Sequence, residues 1–202
     1  VTVASFRASH WLHHEHFGDE DDPDLIRYNR LRIEYMDRAN RGDFIAGMIA
    51  RLLPYVAGWW MALGFSPLTI LAGLAWHGLV WILPLSILFG LGTAFAIWAA
   101  FWFIPFVFIL PFTRFLAESG KHKYLDNGTV FTATVSNIGP IHIWFLHPHG
   151  DGYHLLHHLF PCIPHHQMAK AHTLLVAYDD DYRARHKHRT VIFQNPVVGE
   201  SA

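Results

Sequence analysis

Two short segments of the chain place histidines at one shared spacing. His10, His13 and His14 read HxxHH, and His154, His157 and His158 read HxxHH again. On a helix, positions i, i+3 and i+4 lie on one face, so each segment can turn three imidazoles toward one point. Neutral imidazole is the commonest protein ligand for mid-to-late transition metals. Six such nitrogens exceed what one tetrahedral zinc uses; they suit two metal ions with open positions. A lone HxxHH also fits a solvated loop or adventitious metal binding. Two copies flanking one apolar run form a far more specific pattern. The single cysteine, Cys162, excludes a disulfide framework and any multi-cysteine zinc or iron–sulfur site.

The elements that carry these triplets are set by where charge is missing. The chain has 202 residues, 17 of them histidine, with a formal net charge of −1. That balance argues against a nucleic-acid binder, which usually carries a basic excess. With 52% hydrophobic residues it also argues against disorder. Residues 52–113 contain no Asp, Glu, Lys or Arg. A membrane span needs ~20 apolar residues, so this run has room for two or three. Residues 67–89 and 91–112 read as a transmembrane hairpin, with Gly90-Leu91-Gly92 as a permissive turn.

The stretch 44–64 is less regular. Phe44, Ile45, Met48, Ile49, Leu52, Leu53 and Val56 recur at helical spacing, with Arg51 off that face. It reads as an interfacial or re-entrant helix anchored by Trp59 and Trp60, with a third span as the alternative. If both triplets serve one metal cluster, they lie on the same side of the membrane, and the number of spans between them is even. Arg27, Arg30, Arg32, Arg38 and Arg41 precede the run, and Arg114, Lys121 and Lys123 follow it. The positive-inside rule then places both flanks in the cytoplasm. The expected fold is an all-α integral membrane protein: a hairpin over 67–112, an interfacial helix and a cytoplasmic helical cap carrying the histidines. No strands are indicated.

These features together resemble the membrane-bound fatty acid desaturases and their hydroxylase and ketolase relatives. That family has three histidine boxes. His10-Trp11-Leu12-His13-His14 looks like the second, followed by Asp22-Pro23. The segment from Asp151-Gly152-Tyr153 through the His154–His158 triplet to Leu159-Phe160-Pro161 looks like the third. The later Ile163-Pro164-His165-His166 and Ala171-His172 are similar to the tail of that region in bacterial members. The resemblance runs from Ser9 to about Tyr178. No first box precedes His10, and the chain opens on Val1 without an initiator Met. Residues 1–202 are therefore expected to be one desaturase-like domain lacking its first hairpin and first box, and inactive alone.

The resemblance implies two iron ions held by His10, His13, His14, His122, His154, His157 and His158. His122 stands where members carry a further ligand, and Glu118 with His122 at i, i+4 is expected to share a helix face. Asp151 and Glu118 are expected to support the ligands as carboxylates behind them. The implied reaction is O2-dependent removal of two hydrogens from an acyl or related lipid chain. Electrons would come from a partner such as ferredoxin or cytochrome b5. The substrate would enter past Trp98, Phe101, Trp102 and Phe106. Hydroxylation or ketolation of a lipid, carotenoid or small amino-acid-derived substrate is the alternative within this chemistry. A non-catalytic metal-binding membrane protein is the alternative outside it.

The remaining histidines read as follows. His16 is solvent-facing or adjacent to the site. His77 lies within a span, either functional or bonded to a neighbouring helix. His142, His147 and His149 lie on a turn and orient the site. His165, His166 and His172 sit on a cytoplasmic helix surface. His186 and His188 belong to a solvated or headgroup-facing tail.

Overall fold

The computed structural model describes residues 3–62, 66–126 and 129–199. It is 71% helical. Helix α1 (Val3–Glu15) carries the first triplet. Helix α2 (Pro23–Leu31) starts with Pro23 in its first turn, and Asp22 caps it by accepting the Asp24 N–H at 2.8 Å. Helix α3 runs Arg41–Ala62. The hairpin follows as α4 (Pro67–Phe89) and α5 (Leu91–Glu118), joined at Gly90 with φ 79°. That left-handed value is open to glycine and strained for other residues. Ser66 opens α4 with a capping box to Thr69. Inside the two arms the ladder widens into π turns at Gly78–Ile82, Ala99–Phe103 and Pro105–Ile109. Each lies beside or contains a proline, which has no N–H to give the ladder.

Three helices are long and apolar enough to cross a membrane: Arg41–Met61, Pro67–Phe89 and Leu91–Glu118. The first differs from the other two. One of its faces is packed in protein: Phe44, Met48 and Tyr55 are buried with Tyr28, Leu31, Ile33, Met36 and Phe115. The opposite face leaves Ile45, Ile49, Leu53 and Met61 exposed, Leu53 by 77%. Arg51 is half-buried and turns toward α2. Its Nε donates to the Leu31 carbonyl at 2.7 Å, at the C-terminal end of α2.

Along the hairpin, Trp98, Trp102 and Phe106 recur every four residues and stack at 5.5 and 5.0 Å. Phe106 continues the row to Trp59 and Trp60 of α3. Phe101 does not belong to that row; it is 82% exposed on another face. His77 accepts a hydrogen bond from Trp98 Nε1 at 3.2 Å across the hairpin. It is thus bonded to a neighbouring helix, one of the two readings its sequence position allowed.

The cap departs from the expectation of no strands. β1 (Val135–Asn137) pairs in parallel with β2 (Lys187–Arg189), and β2 pairs antiparallel with β3 (Val197–Val198). Between β1 and β2 in the chain lie α6 (His154–Leu159), α7 (Met168–Tyr178) and α8 (Asp180–Arg185). The strands have three, three and two residues, too short for alternation to register. Gly139 follows β1, and its backbone lies against Thr190. A Cβ there would stand 1.5 Å from the Thr190 carbonyl oxygen. Gly139→Ala is therefore expected to cost about 3 kcal/mol by overpacking, read as a lowered Tm with the hairpin helices intact by circular dichroism.

Candidate metal centre

The two triplets and His122 meet, although 143 residues or more separate the α1 histidines from their α6 neighbours. They form two groups. His13, His122, His154 and His158 make one; His10, His14 and His157 make the other. Within each, the candidate ligand atoms all lie within 4.8 Å of one another. In the first group, His13 Nε2 is 3.3 Å from His158 Nε2, His158 Nε2 is 3.3 Å from His154 Nε2, and His154 Nε2 is 3.0 Å from His122 Nε2. In the second, His157 Nε2 is 3.0 Å from both His10 Nε2 and His14 Nε2. His14 and His158 stack at 4.4 Å and join the groups.

These separations have a chemical meaning. Metal–imidazole bonds are ~2.0–2.1 Å long, so two nitrogens at neighbouring positions on one ion stand roughly 3 Å apart. The Nε2 atoms of each group are spaced in that way and face inward. The residues present therefore fit a metal ion in each group.

Local structure explains how each imidazole arrives. The i, i+3, i+4 spacing places His10, His13 and His14 on one face of α1, and the same holds in α6. His122 arrives differently. The helix ends at Glu118, so Glu118 and His122 share no helix face, contrary to the sequence expectation. His122 lies instead on an extended segment bridged to Thr134. Lys123 N–H donates to Ala133 O, and Val135 N–H donates to Lys121 O, both at 2.8 Å. The strand-like pairing holds His122 beside His154.

Burial keeps six of the seven rings neutral. His122 and His154 are held well below the usual imidazole range, chiefly by burial and then by the neighbouring histidines. His158 is lowered for the same reasons. Burial also lowers His157 to about 3 and His14 to about 4. A neutral imidazole offers a lone pair; a protonated one does not.

The carboxylates are not placed as the sequence suggested. Asp151 accepts from His147 Nδ1 and from Lys121 Nζ, both at 3.1 Å, and touches no triplet histidine. Glu118 pairs with Arg114 and Arg27 and accepts from Tyr55 OH at 2.8 Å. It meets His122 only indirectly, because its backbone carbonyl accepts from Tyr28 OH, which in turn accepts the His122 N–H. The carboxylate behind the cluster is Asp22. His13 Nδ1 donates to Asp22 Oδ1 at 2.8 Å, which points the Nε2 lone pair into the group. Burial alone would raise the Asp22 carboxyl, but hydrogen bonds from His13 and from the Gly18 and Asp24 N–H groups outweigh it and hold it at about 2. Tyr124 OH also donates to it, at 3.1 Å. An Asp-Pro pair at a helix start signals a cap, not a partner for an imidazole nine residues earlier.

Several outlying histidines are also corrected. His172, His186 and His188 are buried, not on a surface or in a solvated tail. His172 Nδ1 bonds Tyr182 OH at 2.9 Å, and His186 stacks on Tyr182 at 5.1 Å and on His188 at 5.1 Å. They fasten α7, α8 and β2 together. His142 and His147 are buried as well, and His165 and His166 are exposed.

The comparisons agree with the residues. The family model described as fatty acid desaturase matches residues 1–190. No curated protein and no solved structure is significantly similar to the chain.

The lowered imidazoles make the metal-free fold sensitive to acid. In the unfolded chain they bind protons near pH 6.5, whereas in the folded chain they stay neutral well below that. Stability is therefore complete above about pH 6.5 and falls as pH drops beneath it. Each fully buried histidine contributes about 1.4 kcal/mol per pH unit to that fall. The Tm of metal-free protein is expected to decline steadily from pH 6.5 to 4.5; a flat profile would contradict the buried, neutral cluster.

Proposed function

The chain belongs to the fatty acid desaturase family, and on that premise we propose that it takes part in O2-dependent insertion of a double bond into a fatty acyl or related lipid chain. The observation that carries the reading is the pair of imidazole groups with Nε2 atoms 3.0–3.3 Å apart. His13, His122, His154 and His158 would hold one iron, and His10, His14 and His157 the other. When bound, the two irons supply activation of dioxygen and removal of hydrogen from an unactivated C–H bond.

The chain's own residues set the conditions for that chemistry. All-imidazole donors leave open positions and keep oxidisable thiolate out of the site; Cys162 is exposed. Asp22 fixes the His13 tautomer. Burial keeps the other imidazoles unprotonated. The His10–His14–His157 group is half-buried and offers three imidazoles where the other offers four. The apolar arms α4 and α5 would present the acyl chain, with the Trp98–Trp102–Phe106 row as one wall. A one-electron donor such as ferredoxin or cytochrome b5 would supply reducing equivalents.

The convergence of the triplets supports a topology. Both flanks of the hairpin belong on one side, read as cytoplasmic from their Lys and Arg. With α4 and α5 crossing twice, α3 would lie along the interface, its buried face in the cap and Ile45, Ile49 and Leu53 in lipid.

Lipid analysis of cells producing the protein tests the reaction. A new double bond, lost in His13→Ala and His158→Ala and kept in His166→Ala, is expected. A hydroxylated or keto product without a new double bond would replace desaturation by a sister chemistry. Bound iron with no O2 consumption in the presence of reductant would favour a non-catalytic metal protein.

Asp22→Asn gives a finer test. Asn can still cap α2 but offers His13 no charge. Iron affinity is expected to fall about 10–100-fold at unchanged helix content, measured by equilibrium metal titration.

A further inference from the structure

A second polar site lies in the cap beside His122, which also lines it, and the metal reading uses none of its basic residues. It is a cavity of about 180 Å³. Arg38, Ser119 and Arg189 are buried in its wall, while Tyr35, Asp37 and Asn195 are exposed at its rim. Lys123 also lines it. The two arginines converge over Gly120: a Cβ there would lie 2.6 Å from Arg189 Nη1 and 3.1 Å from Arg38 Nη2.

These two guanidinium groups are 4% and 2% exposed, and among the described residues neither forms an ion pair. Arg38 donates to the carbonyls of Ile192 and Leu116 and to Ser119 Oγ. Arg189 donates to the carbonyls of Gln194 and Gly120 and to Asn137 Oδ1. Arg38 Nε, Arg189 Nη2 and Lys123 Nζ have no hydrogen-bond acceptor among the described residues. Two carboxylates, Glu34 and Asp37, also line the cavity. Glu34 accepts the Leu125 N–H at 2.9 Å, and Asp37 accepts from the Ala39 N–H at 2.9 Å and from Asn195 at 3.2 Å. Two buried like charges without a counter-ion are costly. Burial, and then the Arg189 charge, lowers Arg38 to about 9; burial lowers Arg189 to about 10.

We propose that this cavity is a binding site for a phosphate group, entering from the water side and held by Arg38, Arg189 and Lys123. Guanidinium forks match phosphate oxygens in geometry, and a phosphate monoester carries close to two negative charges at neutral pH, which balances the two buried cations. The site needs no metal, although His122 borders both it and the imidazole group.

Titration calorimetry on the purified, metal-free full chain in uncharged detergent tests it. One arm uses inorganic phosphate. The other uses dihexanoyl phosphatidate, with dihexanoyl phosphatidylcholine as control. One saturable site is expected. Arg189→Gln should weaken it about tenfold or more, the scale of a lost charged hydrogen bond. Lys123→Ala should weaken it several-fold, and because Lys123 Nζ has no hydrogen-bond partner among the described residues, that variant remains informative if Arg189→Gln misfolds. Saturation by inorganic phosphate supports a free anion as ligand. Saturation by phosphatidate alone supports a lipid headgroup. Binding by neither probe, or equal binding in wild type and Lys123→Ala, overturns the proposal.

Discussion

Imidazole nitrogens that stand 3.0–3.3 Å apart are spaced as neighbouring ligands on one metal ion are. The cluster is thus arranged for a metal. Everything around it serves to bring neutral rings from distant segments to one place. The α1 and α6 helices each supply a face, and the Lys121–Lys123 segment supplies His122 through strand-like hydrogen bonds. Burial lowers His10, His14, His122, His154, His157 and His158, so proton competition with metal at these rings is confined to acid conditions.

The same convergence governs the membrane part. The two triplets lie at opposite ends of a hydrophobic run, and they can meet only if that run returns the chain to the face it left. A hairpin closed at Gly90 does so with one residue between its helices. The third long apolar helix, α3, is reconciled with this by its two faces. One is sealed into the cap around Tyr28 and Phe115, and the other is apolar and exposed. Lying along the interface as proposed, such a helix would tie the cap to the bilayer surface and hold the metal groups at a fixed depth above the hairpin.

The cap has its own bracing, and it is polar. Arg38 and Arg189 tie loop carbonyls together around Gly120, only two residues from His122. Tyr28 links the end of α5 to the His122 backbone, and Tyr124 and His13 both bond Asp22. His172, Tyr182, His186 and His188 form a separate buried row that secures the C-terminal helices to β2. Positional precision at the imidazoles therefore rests on hydrogen bonds from residues outside the boxes.

The sequence by itself determined the membrane hairpin and the pairing of the triplets. Charge absence over 62 residues and the i, i+3, i+4 spacing are local properties, and local properties survive without knowledge of the fold. It also resolved the family, because the companions of each triplet are contiguous with it. What only the tertiary structure decided were the partners made across sequence distance. Asp22, not Asp151, stands behind a triplet histidine, because the loop after α1 folds back on His13. His122 reaches the cluster from a bridged extended segment instead of a helix face. The histidines near the C-terminus look like a solvated tail in composition, yet the pairing of β2 with β1 buries them. The strands themselves are shorter than any periodicity can mark, and their pairing is made by segments some fifty residues apart; one-dimensional pattern carries no record of such contacts.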